Sequence, residues 1–138
     1  MKFLLDHNLP PSWARGLREI SDNKFADGHC TEVVALKERF KSNTPDTEWL
    51  GVLGGEGSWA VLTADHFRSK GNAEREVIRR SGLSVFVLTK SWNSQQFWPR
   101  TAQLFHWWPR IVDQSNAVKA AALEVPWRST SKFVYIKL

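Results

Sequence analysis

Short apolar runs alternate with amphipathic stretches along this chain, and the alternation gives the first outline of its fold. Lys2-Phe-Leu-Leu-Asp6 reads as a buried strand ending on a carboxylate, and Asn8-Leu-Pro-Pro11 breaks it, with proline suited to a first helical turn. Ser12 to Ile20 then carries Trp13, Leu17 and Ile20 at helical spacing. After a turn at Asp27-Gly28-His29, Glu32-Val-Val-Ala-Leu36 reads as a second strand. Ser42 to Asp46 is loop-like and leads into a helix through about Gly54, with Trp49, Leu50 and Leu53 on its apolar face and Thr44 or Asp46 as candidate caps. Trp59-Ala-Val-Leu-Thr63 is a third strand, closely followed by Asp65. Asn72 to Arg80 is a charged helix stopped by Ser81-Gly82, and Leu83 to Leu88 is a fourth strand.

Beyond that point, Gln95 to about Val118 is helical in pattern, its apolar positions being Trp98, Leu104, Trp107, Trp108, Ile111 and Val112. Pro109 is expected to kink or divide it. The alternating tail, Lys132 to Leu138, reads as an edge strand. Strands alternating with helices argue for an α/β fold, a central parallel sheet flanked by helices. The 138 residues suit a single domain, 1–138.

Composition narrows the function classes. No apolar run approaches the roughly 18 residues that cross a bilayer, and the first residues are charged too soon for a secretory signal, so a cytoplasmic protein without membrane contact is expected. One cysteine, Cys30, excludes an intrachain disulfide framework and a multi-cysteine zinc site, and nothing around it points to an activated thiol. A net charge of +5 permits a polyanionic partner. Eight tryptophans admit base stacking, although most fall inside apolar patterns and read as core. The tryptophan-rich stretch Gln95 to Val118 is open to two readings, a dimer face or burial within one chain.

Three carboxylates stand out by position: Asp6 closes the first strand, Asp65 follows the third, and Asp46 opens the helix between them. Ligands of open α/β sheets bind beyond the carboxyl ends of the strands, where Asp6 and Asp65 would converge. Clustered carboxylates repel one another unless a cation sits among them, and oxygen-rich sites suit Mg²⁺ or Mn²⁺. Such ions polarise a phosphate and activate water for in-line attack, as in metal-dependent nucleases. The plainer readings are an N-cap for Asp46 and solvated turn residues for Asp6 and Asp65.

Residues along the chain also resemble a known family. Met1-Lys-Phe-Leu-Leu-Asp6-His-Asn-Leu-Pro-Pro11 resembles the opening of PIN-like proteins, whose first strand ends in Asp-x-Asn-Leu-Pro. Thr44-Pro-Asp46-Thr-Glu-Trp-Leu50 is similar to the second acidic segment of that family, and Val61-Leu-Thr-Ala-Asp65 to its third. Glu74-Arg75, Ser81-Gly82-Leu83, Trp107 to Val112 and the Lys132-Phe133 tail look like a subgroup related to VapC-type toxins. The resemblance implies a Rossmann-like PIN fold and divalent-metal-dependent cleavage of RNA. It also implies a toxin–antitoxin setting with a protein antitoxin and often a homodimer.

By the same resemblance Asp6, Asp46 and Asp65 are the catalytic metal ligands. Many PIN-like chains place a further acid just after the third-strand aspartate, where this chain has His66-Phe67; Glu74 is the candidate replacement, ahead of Glu48. Asn8 either contacts the metal water or phosphate or caps the turn into the first helix. His66, Arg68, Lys70 and Arg75 are candidates for holding the phosphate backbone, against the alternative of a solvated charged face. His66 is also a candidate acid or base, and His7 is expected to point away from Asp6 by strand alternation. The competing readings are a catalytically silent PIN-like domain that binds nucleic acid or a protein, and a phosphatase or response-regulator-like domain using Lys90. A nucleotide-binding Rossmann domain is disfavoured because the glycines from Gly51 to Gly57 follow a helix and read as its stop.

Overall fold

The computed structural model describes residues 1–65 and 72–138. In chain order the elements are β1 (Lys2–Leu5), α1 (Pro11–Ser21), β2 (Glu32–Ala35), α2 (Asp46–Glu56), β3 (Trp59–Thr63), α3 (Asn72–Ser81), β4 (Ser84–Leu88), α4 (Phe97–Ala117), β5 (Ala121–Val125) and β6 (Val134–Ile136). Short 3₁₀ turns at Leu36–Glu38 and Lys90–Ser94 follow β2 and β4. One sheet holds all these strands in the order β2-β1-β3-β4-β5-β6, parallel except for the antiparallel edge pair β5–β6. This is the expected α/β architecture, a mostly parallel sheet with helices on both faces. No helix among the described residues is long and apolar enough to cross a membrane.

The strands read as continuous apolar runs because both faces are covered. Phe3, Leu5, Leu62, Phe86 and Leu88 pack under α1 and α4, with Trp13, Leu17, Leu104, Trp107, Trp108 and Ile111. Leu4, Val61, Val85 and Val87 pack on the other face under Trp49, Leu50 and Leu53 of α2 and Ile78 of α3. Six tryptophans, at 13, 49, 59, 92, 107 and 108, are buried to 3% exposure or less, so most of them are core as their patterning indicates. Trp107 and Trp108 therefore belong to the interior of the chain and offer no dimer face. Trp98 departs from the pattern at 77% exposed, and Ile20, expected on the apolar side of α1, is 48% exposed.

Three expectations about element bounds change. Helix α4 continues through Pro109 without division, since the loss of one backbone hydrogen bond is outweighed by burial of the side chains around it. Strand β5 has no counterpart in the apolar pattern: Ala-Ala-Leu-Glu-Val has little β-propensity, and its pairing with β4 from Ser84↔Ala121 to Leu88↔Val125 makes it a strand. Helix α2 runs through Gly54 and Gly55 and stops at Gly57, whose φ of 80° suits glycine. Gly54 lies where α2 crosses α3, and a Cβ there would stand 2.2 Å from Ser81 Cβ. It is a close-packing residue, not a stop.

Candidate active site

Side-chain alternation brings the first acids together. Leu4 and Val61 are paired in register between β1 and β3, and both face α2 and α3. Two residues on along each chain stand Asp6 and Thr63, on that same face. The backbone N–H of Asp6 donates to Leu62 O at 2.9 Å, which carries the pairing one residue past β1. Thr63 Oγ1 then donates to Asp6 Oδ2 at 2.8 Å and accepts the backbone N–H of Asp65 at 3.0 Å.

Helices α2 and α3 supply the other carboxylates. Asp46 is the first residue of α2 and Glu74 lies in the first turn of α3, where the positive end of each helix favours an acid. Trp49 Nε1, one turn on, donates to Asp46 Oδ1 at 2.9 Å and fixes its direction. The cap of α2 is Pro45, with no side-chain hydrogen bond, so Asp46 is not the N-cap that propensity allows. Asp6, Asp46, Asp65 and Glu74 all line one narrow crevice, with Thr63, Trp49, Leu50, Val61 and Val85 as its walls. Asp6 and Glu74 are 4% and 8% exposed, so their charges are largely withdrawn from water.

The crevice encloses a cavity volume of about 10 Å³, space on the scale of one water. Its all-oxygen donor set fits a hard divalent cation such as Mg²⁺ or Mn²⁺. No three His, Cys, Asp or Glu side chains among the described residues converge closely enough to hold one ion. Mg²⁺ commonly keeps several waters and takes only one or two carboxylates, so a looser arrangement is compatible with its chemistry.

Other candidates fall differently. His7 contradicts the alternation argument: its Nδ1 lies 2.7 Å from Asp6 Oδ1, which also accepts the His7 backbone N–H at 2.7 Å. The reason is that the strand pairing ends at Asp6, so His7 enters the turn and no longer alternates. Asn8 does not cap α1; its Oδ1 accepts the N–H of Ala64 at 3.2 Å and its Nδ2 lies 3.5 Å from Thr63 Oγ1, tying the turn after β1 to the end of β3. Arg75 is half-buried, with a buried Nε that has no hydrogen-bond partner among the described residues. Glu48 is exposed and does not line the crevice. His66, Arg68 and Lys70 lie outside the described residues.

Thr63 and Trp49, which hold the carboxylates of Asp6 and Asp46, lie outside the residues that the sequence motifs single out for the site. A hydroxyl closing an apolar run, and an indole three residues after an acid at a helix start, were the available signals.

Comparison with known proteins adds one finding. The sequence model of a family described as "PIN like domain" matches residues 1–90, the stretch that carries β1 through β4 and all four crevice acids. No curated protein and no solved structure gives a match.

Proposed function

The chain belongs to the PIN-like domain family, whose members are generally nucleases, and from that premise we propose that it is a divalent-metal-dependent ribonuclease. The observation that carries the reading is the convergence of Asp6, Asp46, Asp65 and Glu74 on one crevice beyond the carboxyl ends of β1 and β3. In this reading the four acids surround Mg²⁺ or Mn²⁺, one or two of them as direct ligands and the others through its waters. When bound, the ion would polarise the scissile phosphate and lower the pKa of the attacking water. Thr63 and Trp49 fix the carboxylates of Asp6 and Asp46, and the first turns of α2 and α3 offset part of the crowded charge. Arg75 brings a cation to the phosphate backbone from the same helix turn as Glu74. The VapC-like blocks support a toxin role with a protein antitoxin as partner, acting in the cytoplasm, with a homodimer as the assembly.

A silent PIN-like domain that binds RNA or a protein is the second reading. It draws on the absence of an acid directly after Asp65 and on the loose spacing of the carboxylates.

The test is cleavage of a labelled structured RNA with Mn²⁺, Mg²⁺ or chelator, for the native chain, Asp6→Asn and Asp65→Asn. Metal-dependent cleavage lost in both variants supports the nuclease. Cleavage that survives in both rejects this site. RNA binding without Mn²⁺ binding or cleavage selects the silent domain.

A further inference from the structure

The N-terminal turn of α4 holds an aromatic arrangement unlike the other rings of the molecule. Trp98 is 77% exposed and Phe97 43%, whereas six of the remaining tryptophans are buried. The two rings meet edge to face at 5.3 Å, and Phe97 in turn stacks on Trp13 of α1 at 6.4 Å. Trp13 is buried and donates through Nε1 to Thr101 Oγ1 at 2.8 Å, so the first turns of α1 and α4 are joined beneath the exposed pair. An exposed indole on a rigid aromatic base presents a free flat face at little entropic cost.

Its place in the fold matters as much as its exposure. Helix α1 starts just after Asp6, and α4 starts just after the 3₁₀ turn that follows β4. The N–H of Thr89 and Nε1 of Trp92 both donate to Val125 O, at the carboxyl end of β5. The Phe97–Trp98 shelf therefore stands at the same edge of the sheet as the acidic crevice, on the opposite face of the strands.

The charge around the shelf suits a polyanion. Residues His7 to Arg18 and Thr89 to Val112 contain no Asp or Glu, and neither α1 nor α4 has an acid in its first turn. Lys90 is exposed, and the Arg100 guanidinium lies 5.3 Å from the Trp13 ring centroid with a buried Nε that lacks a hydrogen-bond partner among the described residues.

We propose that Trp98, backed by Phe97, is a stacking platform for an unpaired base of the RNA, at the same edge of the sheet as the crevice that takes the scissile phosphate. The proposal rests on the ribonuclease reading for its substrate class. Every base offers a π-face, so the platform contributes affinity for single-stranded RNA without a strict sequence code.

The experiment is fluorescence anisotropy of a labelled single-stranded RNA of mixed sequence, in EDTA so that cleavage does not intervene. Trp98→Ala is expected to weaken binding by about five- to one-hundred-fold and Trp98→Phe to retain most of it. An abasic ribose–phosphate strand should bind the native chain and Trp98→Ala alike. Because Trp98 is exposed, the alanine variant keeps its fold, verified by circular dichroism. Unchanged RNA binding by Trp98→Ala overturns the proposal. So does loss of self-association in that variant with RNA binding intact, which assigns the ring to a second copy of the chain. Stacking without any metal-dependent cleavage would leave the platform standing and sink the nuclease reading instead.

Discussion

Thr63 joins Asp6 to Asp65 through a single oxygen: its hydroxyl donates to Asp6 Oδ2 at 2.8 Å and accepts the Asp65 N–H at 3.0 Å. Asp6 Oδ1 is meanwhile held by the backbone and ring of His7. Both oxygens of a buried carboxylate are thus aimed by neighbours.

Replacing Thr63 by Val keeps the branched shape but removes both bonds. Groups that orient metal ligands are typically worth about 10- to 100-fold in metal affinity or activity, and that loss is expected in RNA cleavage. Leaving Asp6 Oδ2 without its donor should also cost about 1–3 kcal/mol of stability. Thr63→Ser, which keeps the hydroxyl, should restore most of both. Cleavage rates against Mn²⁺ concentration, read beside urea denaturation, make the comparison. Full activity in Thr63→Val would show that Thr63 has no positioning role.

Gly54 and Gly51 lie on one helix and should respond oppositely to alanine. Nothing lies within 4 Å of a Cβ at Gly51, so Gly51→Ala gains helix propensity and should stabilise by about 0.5–1 kcal/mol. At Gly54 the new Cβ would collide with Ser81 Cβ, and overpacking of this kind costs about 1–3 kcal/mol, more than the propensity gain. The clash also pushes α2, which carries Asp46, away from α3, which carries Glu74, so cleavage should fall in Gly54→Ala alone. Ser81→Gly in the Gly54→Ala background should recover part of the loss. Equal melting temperatures for the two alanine variants would reject the crossing argument.

What the sequence made legible follows from which contacts are local. Strands β1, β3 and β4 announce themselves as apolar runs, and Asp6 and Asp65 are visible because each follows one. Strand β5 is invisible because its strand character comes only from β4. His7 turns back onto Asp6 because the strand ends before it, a limit that the sequence does not mark. Trp98 stands about 120° around α4 from Leu104 at 3.6 residues per turn, off the buried stripe of Leu104, Trp107, Trp108 and Ile111, so strict helical spacing separates the exposed ring from the buried ones. Asp46 and Glu74 line one crevice from two different helices, a relation set by how α2 and α3 pack and not by any local motif.

Cys30 stands just before β2, with Thr31 N–H bonded to Met1 O, at the edge of the sheet opposite the acids. Burial pushes its thiol above the usual cysteine value, only partly offset by the Ser21 hydroxyl. A thiol of that kind is mostly protonated near neutrality and a poor nucleophile. Cys30→Ala should cleave RNA like the native chain. Ellman's reagent should react with Cys30 more slowly than with free cysteine at pH 7, and faster as pH rises past 9. Rapid labelling at neutral pH would contradict the assignment.

Glu56, at the end of α2, offers a test of pH dependence away from the crevice. The Arg39 guanidinium donates to both of its oxygens, at 2.8 and 2.6 Å, and Trp59 Nε1 adds a bond at 2.9 Å. Together they lower its pKa from 4.5 to about 2. A carboxylate held lower in the folded than in the unfolded chain stabilises the fold above the unfolded value, and that contribution fades as pH falls through the folded one. The urea midpoint of Glu56→Gln should therefore lie below that of the native chain by a constant amount from pH 7 to about 5. The gap should then narrow steadily toward pH 2. Because the pair faces solvent, the gap should be small and should shrink further in 1 M salt. A gap that stays constant through the acid range would mean that Glu56 acts by packing and not by charge.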